Sequence, residues 1–335
     1  MTLAKEPRVT IVVVNYNCSP YVEKCLGSLL EQSYSNIEIL VVDNASTDGS
    51  AEQIESNYPD IRLVKAAANR GFSAAVNTGI TSSTGDLIVV LNIDAWVDRD
   101  FVRELAAALL EEPAAGMAAP KMLFARDARV VNSIGLGYNI TGSNHDIGFG
   151  IDDGPQFSER RWVFGPCGGA GMYRRRMVED IGLFDEDFFM YYEDVDYSFR
   201  AQMAGYRCIF VPTARVYHIE GGSGGSLPRP KGYYFARNSA EVILKDFPGF
   251  MLLKYSPIVV WEIAKRVCSG LLRADASPVL GYAAALGRLR QILKKRRGVK
   301  DRWRVPGAYI EGLLSENRHV LKHINLHGRP AKEPS

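Results

Sequence analysis

Over the first hundred residues, short β-branched runs alternate with segments of helical periodicity. Residues 9–14, 37–42, 61–65 and 87–91 read as strands, and residues 51–57 and 73–81 as helices. Ser19 and Pro20 supply an N-cap and a first helical residue for another helix reaching about Gln32. Strands that alternate with helices bury both faces of a sheet, so the pattern predicts an α/β fold with a mostly parallel sheet flanked by helices. Such sheets bind ligands at the carboxyl ends of their strands. Polar residues collect at those ends: Asn15, Tyr16 and Asn17, then Asp43 and Asn44, then Asn69 and Arg70, then Asn92 and Asp94. Four such loops in succession outline a site.

From residue 116 to 216 the pattern is mixed, with short strands, the glycine run GPCGGAG at 165–171 and a helix over 193–203 ended by Gly205. Beyond about Gly232 the chain reads as helical throughout. A boundary near 221–232 divides it into a domain of residues 1–230 and a helical region of residues 231–335. Charge follows the same division: the helical region holds 20 of the 40 Lys and Arg but 8 of the 38 Asp and Glu.

Several classes are disfavoured. The five cysteines, Cys18, Cys25, Cys167, Cys208 and Cys268, are scattered and never spaced as CxxC, which argues against a zinc knuckle or disulfide framework and for a reducing compartment. The N-terminus lacks an apolar stretch of signal-peptide length. No window approaches the roughly 18 apolar residues of a spanning helix; the nearest, residues 250–264, is interrupted by Lys254, Pro257 and Glu262. The turn after the first strand is NYNCSP rather than GxGxxG, against hydride transfer with a nicotinamide dinucleotide.

Two acidic clusters stand out. LNID at 91–94 ends a strand, with Asp98 and Asp100 close behind; an oxygen-rich strand end of this kind suits Mg2+ or Mn2+ bridging a phosphate. YYEDVD at 191–196 opens a helix whose periodicity puts Glu193 and Asp196 roughly on one side and Asp194 elsewhere; a carboxylate at that helix start, aimed into the cleft, can take a proton from a hydroxyl. The helix dipole alone also favours acidic residues there. DNASTDGS at 43–50 imitates a calcium loop but follows a strand and carries Ala51 where an aliphatic belongs. Asp43 is a candidate acceptor for a nucleobase N–H, although ordinary strand-to-helix turns are equally rich in such residues. His218, at a strand end before a glycine-rich segment, is a candidate to complete a metal site.

NYN at 15–17, DNASTDGS at 43–50, NRGFSAAVNTG at 69–79, LNID, GGAGMYRR at 168–175, residues 182–207 and VYHIEGGS together resemble the family 2 inverting glycosyltransferases, rhamnosyltransferase-like branch. The likeness spans about residues 8–245. It implies a GT-A fold, Rossmann-like in its sheet, and single displacement at an anomeric carbon. It further implies donor contacts from Asn15, Tyr16, Asp43, Arg70, Asn92 and Asp94; Asp94 and His218 as ligands of Mg2+ or Mn2+; Asp194, with Glu193 beside it, as the catalytic carboxylate; and Gly169, Ala170 and Gly171 on the acceptor side. Asn92 stands where the family's DxD motif has its first Asp, which removes one charge from the metal site. The implied partners are a UDP or dTDP sugar and a glycan or lipid-linked acceptor, with L-rhamnose as the candidate sugar.

The C-terminal third adds amphipathic helices over 259–273 and 279–293, then nine cations between Arg288 and Arg304 opposed by Asp301 alone. Basic amphipathic helices lie in the headgroup region of anionic membranes, so the expected location is cytoplasmic, peripheral on the inner face of the membrane. A helical homo-oligomer interface and a solvated basic face over an ordinary core are the competing readings. Nucleic acid is disfavoured because aromatic residues are not interleaved with the basic ones. A nucleotidyltransferase and a membrane-bound scaffold with a silent nucleotide site are the rival functions.

Overall fold

The computed structural model describes residues 6–219, 221 and 229–315. The glycine-rich stretch 221–226, apart from Gly221, and the expected helix beyond residue 315 lie outside the described residues.

Strands β1 (Val9–Asn15), β2 (Ile37–Asp43), β3 (Arg62–Lys65) and β4 (Leu87–Asn92) are joined by helices α1 (Val22–Leu30), α2 (Ser50–Asn57) and α3 (Phe72–Thr81). They pair in parallel in the order β4-β1-β2-β3, in a register that sets Asn15 beside Asp43 and Val14 beside Asn92. β1 is buried along its length because both faces are covered. Alternate residues serve opposite faces. Ile11 and Val13 join the core that includes Leu26 of α1, while Val12 and Val14 join the one that includes Val76 and Ile80 of α3. Gly79 lets α3 approach β1 closely, since a Cβ there would collide with Val12. Ser19 does not cap α1: its hydroxyl donates to Gln53, residues Ser19–Tyr21 form a 3-10 turn, and the α-helix begins at Val22.

The chain continues through β5 (Ala95–Val97), α4 (Phe101–Glu111), β6 (Ala115–Phe124), β7 (Asp127–Ser133), β8 (Leu136–Tyr138), β9 (Asn144–Asp146), β10 (Arg161–Val163), β11 (Ala170–Arg174), α5 (Arg175–Ile181), α6 (Glu193–Met203) and β12 (Arg207–His218). β11 enters antiparallel between β4 and β6, and β12 runs parallel to β6. β8 and β9 form a separate two-stranded ribbon.

Helices α7 (Lys231–Asp246), α8 (Gly249–Leu272), α9 (Ser277–Gly287) and α10 (Leu289–Asp301) follow. The single helix expected over 279–293 is broken at Arg288, where α9 ends and α10 begins. A third core cluster unites Tyr138, Phe164 and Phe199 with Val242, Phe247, Met251, Val299 and Ile310, so the helices share a core with the sheet domain.

Two expectations about this region change. Five of the nine cations between Arg288 and Arg304 are spent inward: Arg288 and Lys295 pair with Asp187, Lys295 also with Asp185, Arg296 donates to the Leu244 and Lys245 carbonyls, and Arg302 and Arg304 bind the carbonyl and carboxylate of Asp180. The solvent side of α8 mixes Lys265 and Ser269 with large apolar residues. Arg266 of its polar stripe turns inward and donates to Ser143, while Leu253, Val260, Trp261, Leu271 and Leu272 are exposed, Leu272 at 88%. Among the described residues no helix is long and apolar enough to cross a membrane.

Candidate active site

A cavity of about 420 Å³ opens where the carboxyl ends of β1 and β4 meet the N-terminus of α6, the end of β12 and the β8-β9 ribbon. That volume lies within the range of small-molecule sites. Tyr16, Asn44, Asn69, Asn92 and Asp94 line one part; Gly168, Gly169, Glu193, Asp194 and His218 line another.

Asp194 is held by two backbone donors: Gly168 N–H at 2.9 Å to one carboxylate oxygen and Val195 N–H at 2.8 Å to the other. Its pKa is raised to about 6, first by desolvation in the cavity wall and further by the charge of Asp146, against the lowering effect of those N–H groups. Glu193 is buried, and burial with Asp194 alongside pushes its pKa well above the ordinary glutamate range. Helical periodicity sets Glu193 with Asp196, but the structure sets Glu193 with Asp194. Glu193 and Asp194 share the cavity, because the helix end itself points there and its first two side chains splay around the axis. Asp196 faces away into the protein, paired with Arg200 at 3.0 Å and with Lys245.

The segment before α6 is strained. Phe189, Tyr191 and Tyr192 have φ of 62°, 68° and 68°, a region bulky residues avoid. Helix α7 holds it. Asn238 Nδ2 donates to the carbonyls of Phe188, Met190 and Tyr191 at 3.1, 2.9 and 2.7 Å, and Arg237 donates to those of Asp187 and Phe188 at 2.8 and 2.7 Å. From the opposite side, Phe72 N–H donates to the Phe189 carbonyl, and Gly71 permits this approach because a Cβ there would collide with Phe189.

Asp94 and His218 come together: Asp94 Oδ1 lies 3.5 Å from His218 Nε2, is buried and has no hydrogen-bond donor. β5 and β12 set this distance by pairing Ala95 with His218. His218 Nδ1 lies 3.2 Å from Asn132 Oδ1, which can orient the ring. A buried carboxylate oxygen facing an imidazole nitrogen is a donor set that a divalent cation fits. No larger cluster of His, Cys, Asp and Glu able to hold a metal occurs among the described residues.

Other expected residues stand apart from the cavity wall. Asn15 is fully buried and donates to Asp43, at 2.7 Å, and to Ser46 and Ser50. Asp43 is 2% exposed and also accepts from Ser46 N–H, so its oxygens serve the turn itself. Arg70 pairs with Glu186 at 2.6 Å, outside the cavity lining. Ala170 and Gly171 lie within β11, paired to Leu91 and Val90; of the three residues expected on the acceptor side only Gly169 reaches the cavity. Sequence reading missed Asn132, Asn144, Asp146 and Phe149 on the far wall, and Lys231 and Phe235 of α7. Lys231 had one local signal, a cation directly after a proline at a helix start.

The sequence profile described as glycosyl transferase family 2 matches residues 10–182, about half of the chain. The chain is 29% identical over 247 residues to the N-acetylglucosaminyl-diphospho-decaprenol L-rhamnosyltransferase of Mycobacterium tuberculosis, covering 65% of this chain and 78% of that protein. Among solved structures, GalNAc-T7 with UDP, GalNAc and Mn2+ superposes with a TM-score of 0.59 at 15% identity, over 73% of this chain and 49% of that one. TarS of S. aureus superposes with a TM-score of 0.56 at 18% identity, over 95% and 54%. The chain thus spans about half the length of each of these two structures, which share its fold.

Proposed function

The chain belongs to glycosyl transferase family 2, and on that premise we propose that it is an inverting enzyme moving a sugar, L-rhamnose as first candidate, from a UDP or dTDP donor to a hydroxyl of a lipid-linked or cell-envelope glycan. The observation that carries this reading is Asp194: a carboxylate in the cavity wall, fixed by two N–H groups, with a pKa of about 6 that leaves it both ionised and basic near neutral pH. In the reaction Asp194 accepts the proton of the acceptor hydroxyl as that oxygen bonds to the anomeric carbon. The bond from that carbon to the diphosphate oxygen breaks, and the configuration inverts. The raised pKa of Glu193 limits the charge beside Asp194, so one carboxylate serves as base.

Asp94 and His218 would hold Mg2+ or Mn2+, which when bound neutralises charge on the departing diphosphate. With an amide at Asn92, the chain would offer such an ion two strong ligands and one carboxylate fewer than the DxD pattern. Tyr16, Asn44 and Asn69, at the ends of β1 to β3, are the nearest candidates for the nucleoside. Asp43 and Asn15 shape that end from behind.

A polyprenyl-linked acceptor agrees with the Mycobacterium tuberculosis relative, whose name specifies one. It also agrees with the outward apolar face of α8, which suits peripheral attachment to the inner leaflet. The test is transfer from dTDP-rhamnose and UDP-sugars to a polyprenyl-diphospho-N-acetylglucosamine analogue, followed by chromatography, with Asp194→Asn as control. Free nucleoside diphosphate and a lengthened glycolipid are expected. Pyrophosphate release would instead indicate nucleotidyl transfer.

A further inference from the structure

The cavity is short of positive charge. Its lining carries four carboxyl groups, Asp94, Asp146, Glu193 and Asp194, and among the described residues Lys231 is its only Lys or Arg. Arg70, expected near the nucleotide, lies outside the lining and pairs with Glu186 at the surface. The glycine-rich link from Ile219 to Pro228 contains neither Lys nor Arg. A nucleoside diphosphate is multiply charged, and bringing it among carboxylates at low dielectric is unfavourable without local cations. We propose that Lys231 is a diphosphate-binding residue which shares that task with the divalent ion at Asp94 and His218, so that diphosphate recognition here is only partly metal-dependent. The inference rests on the proposed donor class and adds to it a specific residue and a consequence for metal use.

Three observations support Lys231. It is the first residue of a 16-residue helix, and Phe235, one turn later, also lines the cavity, so the first turn of α7 borders it. Unpaired N–H groups and the dipole at that end favour an anion. The ammonium makes no ion pair with a described residue, and it lies 5.2 and 5.4 Å from the ring centroids of Tyr191 and Phe235, which steady the side chain without using its hydrogen-bond donors. Finally, Asn92 leaves the metal site one carboxylate short of the DxD pattern. A weaker metal site gives more weight to a fixed cation.

The test is calorimetric titration of the full chain with UDP, dTDP and GDP, in Mn2+ and in excess chelator, against Lys231→Met and Lys231→Arg. Uridine and thymidine serve as phosphate-free controls. The wild-type chain should bind one diphosphate in Mn2+ and retain measurable affinity in chelator. Lys231→Met should weaken binding about tenfold or more in Mn2+ and abolish it in chelator, while nucleoside affinity stays unchanged and Lys231→Arg recovers most of the loss. Equal affinity of wild type and Lys231→Met in both buffers would overturn the inference and leave the donor class standing. Wild-type binding that vanishes entirely in chelator would overturn the shared role. If no diphosphate binds the wild-type chain in either buffer, the transferase reading and this inference fall together. Melting curves of the variants, expected to match wild type because Lys231 is exposed, separate loss of binding from loss of fold.

Discussion

Asp194, the proposed base, sits in an environment unlike that of an exposed Asp. Its pKa is raised, so the active ionised form is lost as pH falls through about 6, and kcat/KM should decline with unit slope below that value. A pH–rate profile checks this, and a rate still level well below pH 5 would remove Asp194 as base. Asp194→Asn should lower kcat by roughly 10² to 10⁴-fold while calorimetry finds donor affinity nearly intact. Asp94→Asn and His218→Ala should instead weaken nucleoside diphosphate binding in Mn2+ and leave binding in chelator nearly unchanged, read in the same titrations. At this scale the residue types were legible, since acidic residues at a strand end and a helix start announce themselves. Which of them share a cavity was not: Asp196 looks equivalent to Glu193 by periodicity, yet it pairs with Lys245, a residue 49 positions away.

Among the elements, α7 bears most directly on the site. Three left-handed residues in the four from Phe189 to Tyr192 would relax if free, since each such conformation costs a bulky residue about 1–2 kcal/mol. Donation by Arg237 and Asn238 to the carbonyls of that segment offsets the strain and thereby sets the direction in which α6 begins. Asn238→Ala strips a donor from three carbonyls and should destabilise the fold by about 1–3 kcal/mol in chemical denaturation, with a fall in kcat larger than the change in donor affinity. A second tie is ionic: Lys245, buried on α7, meets Asp185 at 2.7 Å and also Asp196. Lys245→Met removes one cation from each carboxylate while Lys295 stays on Asp185 and Arg200 on Asp196, and the expected loss is about 1–3 kcal/mol, read from the denaturation midpoint. Neither tie is visible locally, because strain in one segment and its restraint by another are separated by about fifty residues.

For the molecule as a whole, the shared core of the third cluster makes residues 231–315 part of the catalytic body. Ending the chain at residue 230 would expose Phe164, Phe199 and Tyr138, which now pack with Val242 and Phe247, and the fragment is expected to aggregate on expression. The same region turns an apolar face outward. Replacing Trp261 and Leu272 by Glu should reduce partitioning to anionic liposomes by at least tenfold in a sedimentation assay, on the order of the transfer free energy of two large side chains. Unaltered partitioning would point to another occupant of that face. Salt should matter less than the count of C-terminal cations suggests, because five of the nine are committed to internal partners.

Sequence alone determined the architecture of the first half. β-Branched runs and helical periods are local signals, and parallel strands with polar carboxyl ends follow from burying both faces of the sheet. It also named Asp94, Asp194 and His218, which the fold brings to one cavity. The tertiary structure decided the rest: it set Asp94 against His218 through the pairing of β5 with β12, turned Asp43 toward its own loop, paired five of the nine cations after Arg288 and left large apolar side chains of α8 exposed. Each of these depends on groups far apart in the chain competing for the same charge or the same buried volume, and composition and periodicity cannot rank such partners.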